Sequence, residues 1–436
     1  MASQSESEPA TPKSVLRGHQ AQVHATAFVR DNQRLASGDA EGYVVLWDLT
    51  IMRPRAVWQA HTNAILGIAS WGNDKIITHG RDHRLIVWKI SENDESRLST
   101  TLPLDPLPDE RPQPWVLHIL EVNTMNFCSF GHCPASPDGG IDEILIAVPN
   151  TLASESVDIW KLPAQERLYT VHAPEKSEKS GMVMALDIFH LDSSLVLVTA
   201  YENGFVTVSQ QDVDDSWNLV YRAQSHSQPV LSLGVAPSKD YFLTSSADAL
   251  LVRHPIPKPS EDRPPILGNI PSTNERKPPS APGSGMSLLS AALAGEPRPP
   301  RLQKKPPREV QTQPLKILNT KHSGQQSLQI RSDGRIFATA GWDSKVRVYS
   351  AKTMKELAVL KWHQVGCYTV TFVDMEVSAT QERIEVPKNE SDGESTAIMP
   401  SSKDLTVKER RIKQAKEAHW LAAGSKDGRI SLWDIY

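Results

Sequence analysis

The chain has 436 residues, and its 47 basic residues nearly balance 51 acidic ones, so no global charge draws it to nucleic acid or an anionic membrane, and direct nucleic-acid binding is not expected. Three cysteines cannot build a disulfide framework, the polar stretch 1–11 lacks the apolar core of a secretion signal, and no apolar run approaches the roughly 18 residues that span a bilayer. These exclusions predict a soluble, intracellular protein in a reducing compartment, with no membrane partner.

Residues 1–12 read as a disordered N-terminus and 13–436 as one folded unit. Residues 14–17 form an orphan strand. Two short β-branched runs joined by a tight turn follow, 35–38 and 44–48, and they recur as 76–80 and 85–88, with Trp47 and Trp88 41 residues apart. Weaker runs at 126–130, 144–148 and 157–160 suggest a third unit, and 184–189, 195–199 and 205–208 a fourth. A fifth is centred on Thr244. Clear copies return at 336–341 with 346–349 and at 421–424 with 430–434.

These residues resemble the WD-repeat family, whose period of about 40–45 residues corresponds to one four-stranded propeller blade. The resemblance implies an all-β, seven-bladed β-propeller; misreading one weak repeat would make it six or eight. It also implies a hydrogen-bonded set in each blade: a His before the first strand, Ser or Thr on the second, Asp in the next turn and Trp on the third. The chemistry is coherent, because indole N–H only donates, hydroxyl and imidazole do both, and carboxylate accepts. Blade two carries His61, Thr78, Asp82 and Trp88. Blade one has His19, Ser37 and Trp47 with Glu41 at the turn. Blade five offers His226, Thr244 and Asp248 with His254 in the Trp position, and blade six His322, Thr339 and Asp343 with Tyr349. Blade seven has His363, Asp427 and Trp433, but Ala423 where a hydroxyl belongs. The orphan strand should complete blade seven and remove open sheet edges.

Four insertions break the period: 91–114, 134–142, 255–314 with fifteen of the 32 prolines, and 374–418. Their polar, Pro-rich composition predicts that they are largely disordered. Within them, 286–294 is an apolar island and 407–418 has helix-forming, basic composition. The strand order assigns all four to one face, leaving the opposite face short-looped and better suited to rigid docking.

No phosphate-cradling loop or nucleophile elbow is present. Cys128 and Cys133, flanking His132, lack the further ligands a structural zinc needs, so no metal and no cofactor is expected. The repeat spacing assigns the His, Ser and Asp residues to structural sets rather than a catalytic triad. Arg81 and His83, beside Asp82 on an exposed turn, are candidate partner contacts.

The segments 37–42, 58–61, 79–83, 114–118 and 122–128 are more particular, and together they resemble the fungal ASTRA-associated WD-repeat family. That resemblance implies a nuclear, non-catalytic scaffold in chromatin remodelling. Its partners would be a large phosphatidylinositol-kinase-like protein, maturation cochaperone proteins and AAA-type ATPases. The alternatives are a G-protein β-like signalling adaptor, disfavoured because the segment before Ser14 is too short for a coiled coil, and a propeller enzyme, which would need titratable groups converging on the channel.

Overall fold

The computed structural model describes residues 10–105, 111–123, 125, 127–173, 180–258, 310–375 and 406–435. In chain order, β1 (Ser14–Arg17) precedes blade one, which comprises β2 (Val23–Val29), β3 (Arg34–Asp39), β4 (Tyr43–Asp48) and β5 (Arg53–Gln59). Blade two is β6 (Ile65–Trp71), β7 (Lys75–Gly80), β8 (Arg84–Lys89) and β9 (Trp115–Glu121); blade three is β10 (Gly131–Pro134), β11 (Ile144–Pro149), β12 (Val157–Leu162) and β13 (Glu166–Val171). Blade four is β14 (Val183–Leu191), β15 (Ser194–Tyr201), β16 (Phe205–Gln211) and β17 (Trp217–Gln224); blade five is β18 (Val230–Val235), β19 (Tyr241–Ser246), β20 (Leu250–Pro255) and β21 (Lys316–Asn319). Blade six is β22 (Gln325–Ile330), β23 (Ile336–Gly341), β24 (Val346–Ser350) and β25 (Glu356–Leu360). Blade seven takes β26 (Cys367–Phe372), β27 (Trp420–Ser425) and β28 (Arg429–Asp434), and β1 is its fourth strand.

Each sheet is an antiparallel meander, and the seven form a closed propeller. Closure follows the expected route, with Ser14 opposite Leu432 and Arg17 opposite Arg429. The second strands β3, β7 and β11 have almost no exposed residue, because both faces of a propeller sheet meet neighbouring blades. The core is accordingly divided into seven apolar clusters, one at each interface between consecutive blades. Trp58 and Trp88, edge to face at 6.1 Å, anchor the interface of blades one and two. A register shift recurs near the start of the innermost strand in six blades, as at Val23/Ala25 and Ile65/Gly67. Such bulges sharpen the twist. At Gly67 a Cβ would lie 1.9 Å from the Ser129 hydroxyl, so only glycine lets blades two and three approach so closely here.

Three sequence expectations need correction. The innermost strand of blade three is β10, after the 126–130 run; the described residues 127–130 precede it as irregular chain, and Ser129 and Phe130 line the channel. Residues 91–105 are ordered. A 3₁₀ turn (Asp94–Arg97) buries Glu95, 1 % exposed, among Arg30, Arg34 and Arg55, and Arg34 Nε donates to it at 3.1 Å. A carboxylate that compensates several guanidinium groups explains why so polar a segment is held. Residues 134–142 are also placed, with the Trp71 indole N–H donating to the Ile141 carbonyl at 2.6 Å. The helix expected near 407–418 is α1 (Val407–Glu417), whereas the apolar island 286–294 lies outside the described residues. Antiparallel order sends the connections β8–β9, β10–β11, β20–β21 and β26–β27 out through one face.

Candidate docking face and the hydrogen-bonded sets behind it

The sets hold the turns of the other face. In blade two the Trp88 indole N–H donates to Thr78 Oγ1 at 2.8 Å, Thr78 pairs with His61 Nε2 at 2.8 Å, and His61 Nδ1 with Asp82 at 2.8 Å. Indole can only donate and carboxylate only accept, so in the neutral ring the His61 proton sits on Nδ1 toward Asp82, Nε2 accepts from Thr78, and the protons run one way, Trp to Thr to His to Asp. Burial alone would raise the Asp82 carboxyl; the His61 hydrogen bond and charge, with the Thr62 N–H, bring it below its ordinary value.

Blade one departs from expectation. Trp47 donates to Ser37 and Ser37 pairs with His19 Nε2, but His19 Nδ1 meets Asp39 at 2.7 Å, not Glu41. Asp39 Oδ1 also accepts the backbone N–H groups of Glu41 and Tyr43, each at 3.0 Å. Asp39 is the last residue of β3, so its short side chain reaches both the imidazole and the turn amides. Glu41 stands outside the set.

In blade five, His226 Nδ1 meets Asp248 at 3.1 Å and Nε2 meets Thr244 at 2.8 Å. His254 Nε2 takes the indole position, 2.9 Å from Thr244. Asp248 only accepts, so His226 carries its proton on Nδ1 and accepts from Thr244 on Nε2. Thr244 therefore accepts from His254 Nε2, which acts like an indole N–H, and the neutral His254 ring's Nδ1 accepts the Tyr221 hydroxyl at 2.9 Å. Burial holds His254 well below its ordinary pKa and therefore neutral. Nothing in the sequence signalled Tyr221.

Blades six and seven also depart. His322 is half exposed and only 3.8 Å from Asp343, which instead receives Arg347 at 2.6 and 3.1 Å. Thr339 donates to Gln325 at 2.6 Å, and Tyr349 stacks on Phe337 rather than joining a His-based set. In blade seven the hydroxyl comes from Ser431, the cross-strand partner of Ala423. Ser431 Oγ lies 2.8 Å from both His363 Nε2 and Trp433 Nε1. Asp427 is in an ion pair with Arg429 at 3.5 Å. Blade three relies on buried Asp158, which accepts from Asn150 and, at 2.7 Å, from Thr170.

On this face the turn carrying Arg81 and His83 meets the loop between blades two and three. The Arg81 guanidinium lies 4.4 Å from the centre of the Phe127 ring, and His83, exposed with φ of 70°, accepts the Val122 N–H through its carbonyl. Phe127 also rims a 320 Å³ depression at the channel mouth with His24, Gln326, Trp342 and Tyr368. Trp342 is held there by its N–H on Gln326 at 2.9 Å, and the rings of His24 and Tyr368 are 5.6 Å apart. Phe127 and Trp342, which share the rim of this depression, are 54 and 48 % exposed, large apolar groups left open to contact.

The channel below, about 470 Å³, is walled by the innermost strands with hydroxyl and apolar side chains. Its titratable groups among the described residues are His24, Asp187 and Tyr368, from blades one, four and seven. Burial raises Asp187 to about 6. Among the described residues no three His, Cys, Asp or Glu side chains gather as metal ligands would, and burial pushes the Cys128 and Cys133 thiols upward. Among those residues no helix is long and apolar enough to cross a membrane.

Seven four-stranded blades, closed by the N-terminal strand and pinned by Trp–Ser/Thr–His–Asp relays, define a WD-repeat β-propeller. A sequence model of the family described as ASTRA-associated protein 1 matches residues 12–433, and the chain belongs to that family. It is 53 % identical to ASTRA-associated protein 1 of Verticillium alfalfae, over 98 % of this chain and 93 % of the relative. Identity to the Pyricularia oryzae protein of that name is 50 %, over 98 % of each chain. Identity to the Schizosaccharomyces pombe protein is 33 %, over 83 % of this chain and 93 % of the relative.

Proposed function

We propose that the chain is a non-catalytic scaffold subunit of the ASTRA complex, acting in the nucleus in chromatin remodelling and linked to the assembly of phosphatidylinositol-kinase-like proteins. The observation that carries the scaffold reading is the pair Phe127 and Trp342, exposed at the rim of the channel mouth, with Phe127 against Arg81, whose turn the buried His61–Asp82 hydrogen bond holds. Aromatic and Arg side chains on a preorganised surface are the groups that dominate protein–protein binding energy. The His, Ser, Thr and Asp side chains that could serve chemistry are instead spent on the relays. Arg81 and His83 are the proposed partner contacts. The names of the relatives support association with ASTRA. Affinity purification of the tagged chain with mass spectrometry tests the reading. Recovery of a large kinase-like protein, cochaperone proteins and AAA-type ATPases is expected; recovery of G-protein γ-like chains or membrane receptors in their place would overturn it.

A further inference from the structure

Each blade ends in an outer strand whose far edge offers unpaired backbone groups, and natural sheets guard such edges. Three of the seven outer strands, β5, β9 and β17, run seven or eight residues. The chain's own insertions pair with two of them, at one position each. The Val57 N–H of β5 donates to the Ser99 carbonyl at 2.7 Å, and beside Tyr221 of β17 Gln311 donates to Val220 at 3.0 Å and accepts from Arg222 at 2.9 Å.

Among the described residues β9 has no backbone partner on its outer edge. It is also the most apolar of the three, with Trp115, Val116 and Ile119 at 74, 39 and 45 % exposure and a single charged side chain, Glu121, at its end. By contrast β5 bears Arg53 and Arg55.

We propose that β9 is a strand-addition site for an extended segment of a partner protein, apolar at alternate positions and carrying a basic side chain opposite Glu121. The two covered edges show the form of the occupant, because extended chain already docks on β5 and β17 through main-chain hydrogen bonds. A second copy of this chain fits less well. Antiparallel pairing of β9 with itself about His118 would set Glu121 against Trp115, with no basic residue of the strand to meet it. The inference rests on the scaffold reading and adds a second contact site to it.

Hydrogen–deuterium exchange of the full chain, alone and within the purified ASTRA complex, tests it. Amides of β9 should slow about tenfold or more in the complex, while those of Val57 in β5 and Arg222 in β17, already bonded, should not change. The double variant Trp115→Lys with Ile119→Lys alters exposed side chains only; it should melt like the wild type yet lose that protection. Unchanged β9 exchange in the complex would overturn the proposal while leaving the scaffold reading standing. So would light scattering showing that the free chain is a dimer which the double variant dissociates. Failure of the chain to enter the complex would overturn both.

Discussion

Replacing Ser431 with alanine tests the relay in the blade that departs most from the family pattern. Its Oγ sits 2.8 Å from both the Trp433 N–H and His363 Nε2, in a pocket where those residues are 2 and 5 % exposed. The substitution strands two buried polar groups, each costing about 1–3 kcal/mol, so the expected loss is about 2–6 kcal/mol. For a cooperative unit of this size each kcal/mol moves the midpoint by about 1.5 °C, which predicts a fall of roughly 3–9 °C. Ser245 supplies the control, since it is fully buried but its hydroxyl has no hydrogen-bond partner. Ser245→Ala should melt within about 1 °C of wild type by the same scale. Ala423 faces Ser431 across the sheet, so adding Ala423→Ser to Ser431→Ala should recover most of the loss by returning the hydroxyl to the second strand, where blades one and two carry it. Calorimetry of the four proteins decides the matter. Equal loss at Ser245 and Ser431, or no recovery in the double variant, would refute the relay.

In blade one, Asp39→Ala should cost about 1–3 kcal/mol in denaturant unfolding and Glu41→Ala under about 0.5, because Asp39 alone meets His19 and the turn amides; the reverse ranking would return the carboxylate role to Glu41. Glu95→Ala should cost about 3–5 kcal/mol by leaving Arg30 buried without a counter-charge and Arg34 with only Asp48, at 3.7 Å, and should speed tryptic cleavage after Arg97; an unchanged digest would show that 91–105 is not held by this contact. Acid should weaken the fold early. Burial lowers His79 to about 3 and His363 to about 4, both from 6.5. A depressed folded value means that stability is complete above pH 6.5 and is lost as pH falls, at about 1.4 kcal/mol per unit for each group. His254, held well below its ordinary value, and His132 act in the same direction, while Asp187, raised to about 6, opposes one of these groups down to its unfolded value of 3.8. His79→Phe should reduce the slope between pH 6 and 4 by about 1.4 kcal/mol per unit in urea titrations, and an unaltered slope would exclude His79 as a source.

The blade repeat was legible wherever a Trp, a hydroxyl and a His stood at regular offsets, as in blades one and two, because those offsets follow from strand length and turn size. What escaped depended on contacts between distant residues. Glu95 and Arg30 are far apart in sequence, so a polar segment read as unstructured while its ordering lay in a partner supplied by another blade. In blade six Arg347 satisfies Asp343 from four residues away, which frees His322 from the set and lets Gln325 take Thr339. Blade three hid its first strand because β10 is four residues of mixed polarity, whereas the preceding apolar run lines the channel without pairing. Ser431 was visible as a residue, but only the cross-strand register shows that it stands opposite Ala423. The docking cluster joins Phe127 and Trp342, from blades at different points of the ring, and no local pattern links them.

The central claim is that the short-turned face around the channel mouth is where partners dock. Binding of purified ASTRA complex, isolated without this subunit, to immobilised chain measures it directly. Phe127→Ala, Trp342→Ala and Arg81→Glu should each weaken binding by about 2 kcal/mol, roughly 30-fold, with unchanged melting, as expected for central aromatic and Arg contacts. Val213→Lys, at the exposed turn between β16 and β17 on the opposite face, should bind like the wild type. Full-strength binding by all three docking-face variants, or loss confined to Val213→Lys, would contradict the account.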